Sequence, residues 1–129
     1  MIAVDSAVWI DRFRGVASES VAKLDRMLDS EIVAVGDLVL LEVLQGARDD
    51  LHARRLYRVM APYQIVEMLD ARIAVRAAAN FRILRGKGIT IRKTPDLIIG
   101  TWCIENRVPL LHNDRDFLPM VEHLGLVEA

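Results

Sequence analysis

Short apolar runs alternate with helix-forming segments along this 129-residue chain. The runs cover residues 2–4, 32–35, 64–66, 108–112 and 126–127. Apolar strands that alternate with helices are typical of α/β proteins, in which the strands form a mostly parallel central sheet. A chain of this length is sufficient for one substantial hydrophobic core. We therefore predict a single α/β domain that covers residues 1–129.

Helix-start and helix-stop signals separate the predicted strands. Ser6 is the predicted cap of the first helix, and a second helix is predicted to start near Ser18. Thr94, followed by Pro95, is the predicted cap of a later helix that ends near Asn106. The remaining predicted helices lie between these, over residues 38–47, 48–60 (ended by Pro62) and 71–84 (ended by Gly86 and Gly88).

The charge balance and the cysteine content restrict the class of protein. The formal net charge is −1, so any contact with nucleic acid has to come from local basic patches or from bound cations. Cys103 is the only cysteine, which excludes an internal disulfide framework. No signal-like segment opens the chain, and no apolar run approaches the roughly 18 residues that span a bilayer. We expect a soluble cytoplasmic protein with no membrane partner.

Acidic side chains follow or begin several of the predicted elements. Asp5 follows the first strand and Asp114 follows a late strand, whereas Glu42 lies inside an apolar helix. Asp96 lies in the first turn of the helix that Thr94 is predicted to cap, and Asp116 is a further candidate. Ligands of open α/β sheets bind at the carboxyl ends of the strands. Asp5 and Asp114 are therefore expected at the same edge of the sheet.

Each acid taken alone also has a purely structural explanation. Asp5 and Asp114 can cap the helices that follow them. Acids in the first turn of a helix are favoured by the helix dipole. Glu42 can lie on a solvent-exposed stripe with Gln45 and Asp49, leaving the neighbouring leucines to the core. The individual residues leave these alternatives open.

The acids are more informative as a set. Neighbouring strands lie about 4.8 Å apart, so carboxylates at two adjacent strand ends repel by about 3 kcal/mol at an effective dielectric constant near 20. Several such carboxylates need either raised pKa values or a neutralising cation. A set of oxygen ligands without a cysteine or histidine cluster favours Mg²⁺ or Mn²⁺ over zinc. His112 lies near Asp114, but we interpret it as a partly buried structural histidine.

Three segments together resemble the PIN-domain proteins of the VapC toxin type. MIAVDSAVWIDRFRG is similar to the apolar strand, acid and tryptophan-containing helix that open these proteins, and LVLLEVLQGA is similar to their second motif. GITIRKTPDLIIGTWCIENRVPLLHNDRDF is similar to their third and fourth motifs, except that Pro95 replaces a position where a bulkier apolar residue is common. The resemblance implies a three-layer α/β/α sandwich around a mostly parallel sheet.

The resemblance also implies the roles of particular residues. Asp5, Glu42, Asp96 and Asp114 would be the catalytic acids, with Glu42 holding a water molecule or acting as a base. The metal ligands, Mg²⁺ being expected and Mn²⁺ possible, would be Asp5, Asp96, Asp114 and Asp116. The other implied positions are the supporting polar residues Ser6, Thr94 and Asn113 and the candidate RNA contacts Arg92, Lys93 and Arg12.

The activity that the resemblance implies is that of a metal-dependent endoribonuclease, the toxin of a toxin–antitoxin pair. Such a protein hydrolyses RNA, for example a transfer RNA or a ribosomal RNA loop, and so inhibits translation and growth. A cognate VapB-type antitoxin would neutralise it, docking near the apolar helix over residues 38–44, and a homodimer is expected.

Three other functions remain as alternatives. A phosphoryl-transfer enzyme would use Asp5 as a covalent acceptor, but such enzymes want a second acid close to it, and Ala7 stands two residues on. A PIN-like binding module without activity is disfavoured because all four acidic positions are filled. A nuclease of RNA maturation would share the same site.

Overall fold

Four short strands form a parallel sheet in the order β3-β2-β1-β4 in the computed structural model, which describes residues 1–129. The strands are β1 (Ile2–Val4), β2 (Val33–Gly36), β3 (Gln64–Val66) and β4 (Leu110–Leu111). Ala3 in β1 pairs with Ala34 on one side and Leu110 on the other. Every residue of β1, β2 and β4 is buried, as expected for parallel strands that are covered on both faces.

Helices flank this sheet as two groups. They are α1 (Ser6–Phe13), α2 (Glu19–Ser30), α3 (Asp37–Gln45), α4 (Asp50–Met60), α5 (Ala71–Gly86), α6 (Thr94–Asn106) and, after a 3₁₀ turn (Arg115–Phe117), α7 (Leu118–Leu124). Helix α1 packs on α2 and α3, and α3 packs on α4, whereas α5 packs on α6 and α7. The predicted three-layer α/β/α arrangement is confirmed. None of the helices is long and apolar enough to cross a membrane.

The hydrophobic core lies between the sheet and these helices. Trp9 is fully buried; its ring stacks on Phe13 at a centroid distance of 6.0 Å and packs against Tyr63 at 5.7 Å. Phe117 and Met120 fill the core near α6, where Gly100 leaves room for the Met120 side chain. Each fully buried side chain of this size stabilises the fold by about 1.5–3 kcal/mol. This packing holds the ends of β1 and β4 and the start of α6 in place.

The predicted helix caps Ser6 and Thr94 are wrong. Ser6 and Thr94 are the first helical residues of α1 and α6, and the cap positions belong to Asp5 and Lys93, neither of which makes a side-chain capping bond. The predicted helix start near Ser18 is confirmed, and the Ser18 hydroxyl caps α2 by accepting the Val21 backbone N–H at 3.1 Å. A serine or threonine before a helix is a cap only if its own backbone is extended, which the sequence does not show.

Several element boundaries also differ from the prediction. Strand β2 begins at Val33, one residue later than predicted and directly after the 59% exposed Ile32. Strand β4 covers only part of the predicted run over 108–112. The predicted strand at 126–127 is absent, since the chain there makes only an isolated parallel bridge between Glu128 and Leu110. The predicted helix over 38–47 is α3, and α4 begins only at Asp50 because the Asp49 carboxylate caps it by accepting the His52 N–H at 2.8 Å.

Candidate active site

Asp5 stands at the end of the central strand β1. Its backbone N–H donates to the Leu111 carbonyl oxygen at 2.9 Å, which ties it to the end of β4. The residue is 4% exposed, and its Oδ1 atom has no hydrogen-bond partner. Burial, with the nearby carboxylates of Asp96 and Glu42 adding to it, raises the pKa of Asp5 to about 7, although the Ser6 and Ala7 backbone N–H groups oppose this rise.

Asp96 lies in the first turn of α6 and is 5% exposed. Its Oδ2 atom is buried and likewise has no hydrogen-bond partner. Burial raises the pKa of Asp96 to about 6; Lys93 opposes this rise, whereas the carboxylates of Asp114, Glu42 and Asp116 add to it. Two buried carboxylates with raised pKa values therefore face the same region from β1 and α6.

Asp114 and Asp116 bring two further carboxylates from the loop after β4. Asp114 Oδ1 accepts the Asp116 backbone N–H at 2.9 Å, and this bond, together with the Lys93 ammonium, lowers the pKa of Asp114. One oxygen each of Asp96, Asp114 and Asp116 can be chosen so that all three lie within 4.8 Å of one another. This spacing matches the dimensions of a carboxylate site for a divalent cation.

Glu42 reaches the same region from α3. Ser6 Oγ donates to Glu42 Oε1 at 3.3 Å, and the Glu42 carboxylate is close enough to raise the pKa of both Asp5 and Asp96. The side chain is half-buried, whereas Gln45 on the same helix is exposed. The alternative of a common exposed stripe is therefore wrong for Glu42. The structure brings together all five acids, Asp5, Glu42, Asp96, Asp114 and Asp116.

Lys93 lies among these acids. Its Nζ atom is 3.1 Å from Asp114 Oδ2, 3.7 Å from Asp116 Oδ2 and 4.0 Å from Asp96 Oδ2. The hydrogen bond and the charge of Asp114, followed by the charge of Asp96, raise the pKa of Lys93. The sequence places Lys93 three residues before Asp96, which is a helix-neighbour spacing, but it gives no sign of the contact with the distant loop.

Only one of the predicted supporting polar residues contacts the acids. Ser6 contacts Glu42, but the Thr94 side chain is exposed and lines a groove with Phe81 and Leu97. Asn113 Nδ2 donates to Asp11 Oδ2 at 3.3 Å and so links the loop to α1. Among the polar residues predicted to accompany the acids, Ser6 alone makes a hydrogen bond to one of them.

The candidate RNA contacts differ in whether their charge is already paired. Arg12 Nε is 2.8 Å from Asp25 Oδ1 and is engaged in that surface ion pair. Arg92 is exposed and lines a pocket together with Lys93, Arg115 and Asp116. Arg115 was missed in the sequence because it looks like an ordinary helix-start residue. Its position beside Asp116 is visible only once the loop is folded.

His112 is a buried structural residue, as predicted. Its ring packs on Phe117 at a centroid distance of 4.9 Å, and its Nε2 atom lies 2.9 Å from Glu128 Oε2. Its Nδ1 atom accepts the Asp114 backbone N–H at 3.2 Å. The histidine therefore orients the backbone of Asp114, and its ion pair is with Glu128 and not with a carboxylate of the site.

The donor set fits a hard divalent cation. All five side chains offer carboxylate oxygens, and buried oxygens of Asp5 and Asp96 have no hydrogen-bond partner in the protein. A buried polar atom without a partner destabilises the fold unless it serves another purpose. Mg²⁺ and Mn²⁺ prefer such oxygen ligands, and the donor set contains neither the thiolates nor the imidazoles that zinc favours.

Comparison with known proteins finds one matching family model and several relatives of similar sequence. The model of the PIN domain family matches residues 2–121. VapC ribonuclease Mb1587 of Mycobacterium bovis and ribonuclease VapC11 of Mycobacterium tuberculosis are each 32% identical over 120 residues, which is 91% of this chain and 89% of the relative.

Solved structures share the fold at lower sequence identity. VapBC2 from Rickettsia felis bound to a promoter DNA fragment has a TM-score of 0.79 and 16% identity, covering 100% of this chain and 98% of the other. A toxin–antitoxin complex from Klebsiella pneumoniae has a TM-score of 0.69 and 22% identity, covering 91% and 90%.

Proposed function

Because the chain belongs to the PIN-domain family and has VapC ribonucleases among its relatives, we propose that it is a divalent-metal-dependent endoribonuclease and the toxin of a toxin–antitoxin pair. The observation that carries this proposal is the convergence of five carboxylates, two of them with buried oxygens that have no hydrogen-bond partner in the protein. Such a site is costly for stability and is explained by cation binding. The chain acts as one domain in this proposal.

Four of the acids would hold the metal, which is Mg²⁺ or Mn²⁺. Asp96, Asp114 and Asp116 have the closest spacing, and Asp5 adds its unpartnered oxygen from β1. When bound, the ion lowers the pKa of a water molecule and neutralises the charge that develops on the RNA phosphate.

Glu42 is the residue best placed to accept a proton during hydrolysis. The Ser6 hydroxyl donates to one of its oxygens at 3.3 Å, and its charge acts on both Asp5 and Asp96. In the proposed reaction a water oxygen forms the new bond to phosphorus while the bond from phosphorus to the 3′ oxygen breaks. The products are a 5′-phosphate and a 3′-hydroxyl: Glu42 takes up the proton that the water loses, and the leaving 3′ oxygen takes up a proton from the solvent.

The RNA would approach across the exposed side of the site. Arg92 and Arg115 flank the acids there and can contact backbone phosphates, whereas Arg12 is already paired with Asp25. The proposed substrate is a transfer RNA or an exposed loop of ribosomal RNA, whose cleavage would inhibit translation and growth. This places the protein in the cytoplasm.

A VapB-type antitoxin would neutralise the enzyme. The similar structures include VapBC2 of Rickettsia felis and a Klebsiella pneumoniae toxin–antitoxin complex. Helices α1, α3 and α4 form a groove lined by Ile10, Phe13, Val43 and Leu56, and Leu41 on α3 is 56% exposed. We expect an antitoxin segment to bind this groove, and we expect the toxin to form a homodimer.

Cleavage mapping in total RNA after brief expression tests the proposal directly. The wild type should produce new 5′-phosphate ends at a small number of sites, and the Asp96→Asn variant should produce none. Purified protein should lose cleavage in EDTA and regain it with Mg²⁺ or Mn²⁺. Co-expression of the protein encoded beside it should abolish the new ends.

The alternatives give different results in the same experiment. RNA that is bound but stays intact with either metal would indicate a binding module. Turnover of acyl phosphates without RNA cleavage would indicate a phosphoryl-transfer enzyme with Asp5 as the acceptor. Discrete processing of a precursor RNA without growth inhibition would indicate a maturation nuclease.

A further inference from the structure

The chain supplies its own cation to the acidic site. The Lys93 ammonium contacts Asp114 at 3.1 Å, Asp116 at 3.7 Å and Asp96 at 4.0 Å. These are the same three carboxylates whose oxygens can lie within 4.8 Å of one another. The lysine and a divalent cation would therefore use the same oxygens.

The backbone holds Lys93 within reach of these acids. Lys93 occupies the cap position of α6 in an extended conformation, and its carbonyl oxygen accepts the Leu97 N–H at 3.3 Å. The Cα atom is thereby fixed one turn before Asp96. Asp114 is fixed independently, through the His112 and Asp116 contacts of the loop after β4.

The side chain of Lys93, unlike its backbone, is free to move. It is 58% exposed, and its flexible stem and compact charge allow the ammonium to leave without disturbing the core. It also lines the pocket that holds Arg92 and Arg115. An ammonium released from the acids would remain on this basic surface, beside the expected path of the RNA backbone.

We propose that Lys93 is a tethered counter-ion of the acidic site, which neutralises Asp96, Asp114 and Asp116 and competes with the divalent cation for their oxygens. This inference rests on the proposed metal-dependent function. The competition sets the metal concentration at which the site fills, because the ion must displace three ion pairs before it binds.

Metal titration of matched variants tests the competition. Lys93→Met removes the ammonium and keeps the length of the side chain, whereas Arg92→Met removes the adjacent positive charge, which has no ion pair with these acids. With Mn²⁺ as the probe, on chelator-treated protein at pH 8 and fixed ionic strength, calorimetry should show a Kd about 3- to 10-fold lower for Lys93→Met. The Kd of Arg92→Met should change less than about 2-fold.

Two results of this titration would overturn the inference. An unchanged Kd in Lys93→Met would mean that the ammonium does not compete. An equal decrease in the Kd for Mn²⁺ in both variants would mean that positive charge near the site opposes the metal whatever its contacts with the acids. Lys93→Arg keeps the charge and should bind Mn²⁺ as the wild type does, which separates loss of the cation from loss of the side chain.

Thermal unfolding gives a second readout that does not depend on metal affinity. In EDTA at pH 8, Lys93→Met should lower Tm by about 2–4 °C, because three carboxylates lose their counter-ion. In excess Mn²⁺ the same variant should match or exceed the wild type, because tighter binding stabilises the folded state. Arg92→Met should show no such reversal, and a Lys93→Met protein at least as stable as the wild type in EDTA would contradict the inference.

The experiments separate this inference from the proposed function. Asp96→Asn should lose Mn²⁺ binding whatever the role of Lys93. If the wild type binds Mn²⁺ and Asp96→Asn does not, the metal site stands and Lys93→Met alone decides the competition. If the wild type itself binds no Mn²⁺, both the proposed function and this inference are wrong.

Discussion

Replacing Asp5 by asparagine should stabilise the protein at neutral and alkaline pH while it damages the site. The pKa of Asp5 is raised from the ordinary 3.8 to about 7, chiefly by burial. Between these two pH values the folded state binds a proton that the unfolded state releases. The free energy of unfolding therefore falls as the pH rises from about 4 to 7, and above that range the charged carboxylate destabilises the fold fully.

The size of the effect follows from this pKa difference. At 1.36 kcal/mol per pKa unit, the rise from 3.8 to about 7 corresponds to about 4 kcal/mol at pH 8. Part of this belongs to the pairing with Asp96 and is shared between the two residues. We therefore expect Asp5→Asn to raise the free energy of unfolding by about 1–3 kcal/mol at pH 8 and by only about a quarter as much at pH 4.5, where the carboxyl is neutral in the folded state.

Urea unfolding in EDTA, followed by the fluorescence of the buried Trp9 and Trp102, measures this directly. Asp114→Asn is the matched control, because the Asp116 N–H and Lys93 lower the pKa of Asp114. Its charge stabilises the fold above the ordinary pKa and loses that effect as the pH falls, so Asp114→Asn should destabilise the protein at pH 8. An Asp5→Asn protein that is less stable than the wild type at pH 8, or equally altered at both pH values, would refute the reasoning.

Three further perturbations follow from the geometry. Glu42→Gln should slow RNA cleavage by about 10²-fold or more in single-turnover assays. Ser6→Ala loses one hydrogen bond to Glu42 and should slow cleavage only about 3- to 10-fold. Equal losses in the two variants would argue against a positioning role for Ser6. Arg92→Met should weaken binding of a non-cleavable RNA and reduce the slope of log K against log salt by about 1, whereas Arg12→Met, whose arginine is paired with an acid, should do neither. Trp9→Leu should lower the free energy of unfolding, measured by urea denaturation, by about 2–4 kcal/mol, because the indole is fully buried and packs on Phe13 and Tyr63. A change below about 1 kcal/mol would contradict that packing.

The fold class was predictable because short apolar runs in the sequence mark the strands. Residues 2–4 and 64–66 are strands within the predicted bounds, and both are short apolar runs followed by helical segments. The last run, at 126–127, has the same composition but lies where the sheet offers only a single bridge at Leu110. Composition shows that a segment can pair, whereas the length of the pairing depends on the partner strand.

The sequence predicted the acidic residues of the site, but it did not predict that the Lys93 ammonium lies among them. Asp5 and Asp114 follow strands, so the order of the elements places them at one edge. Lys93 carries no comparable signal, because an isolated lysine before a helix is most often solvated. Its contact with Asp114 joins positions 21 residues apart and depends on how the loop after β4 folds back over α6.

The geometry also resolves whether the strand-end acids are helix caps or site residues. Asp114 is both: its Oδ1 atom accepts the Asp116 N–H at 2.9 Å, while its Oδ2 atom lies 3.1 Å from the Lys93 ammonium. The capping bond fixes the carboxylate and leaves the second oxygen for a cation. Asp5 stands at the cap position of α1, where the Ser6 and Ala7 N–H groups lower its pKa, yet its Oδ1 atom is buried without a hydrogen-bond partner. A role in starting the helix does not explain a buried oxygen that has no donor, and the unpartnered Oδ1 of Asp5 therefore favours an additional role in binding.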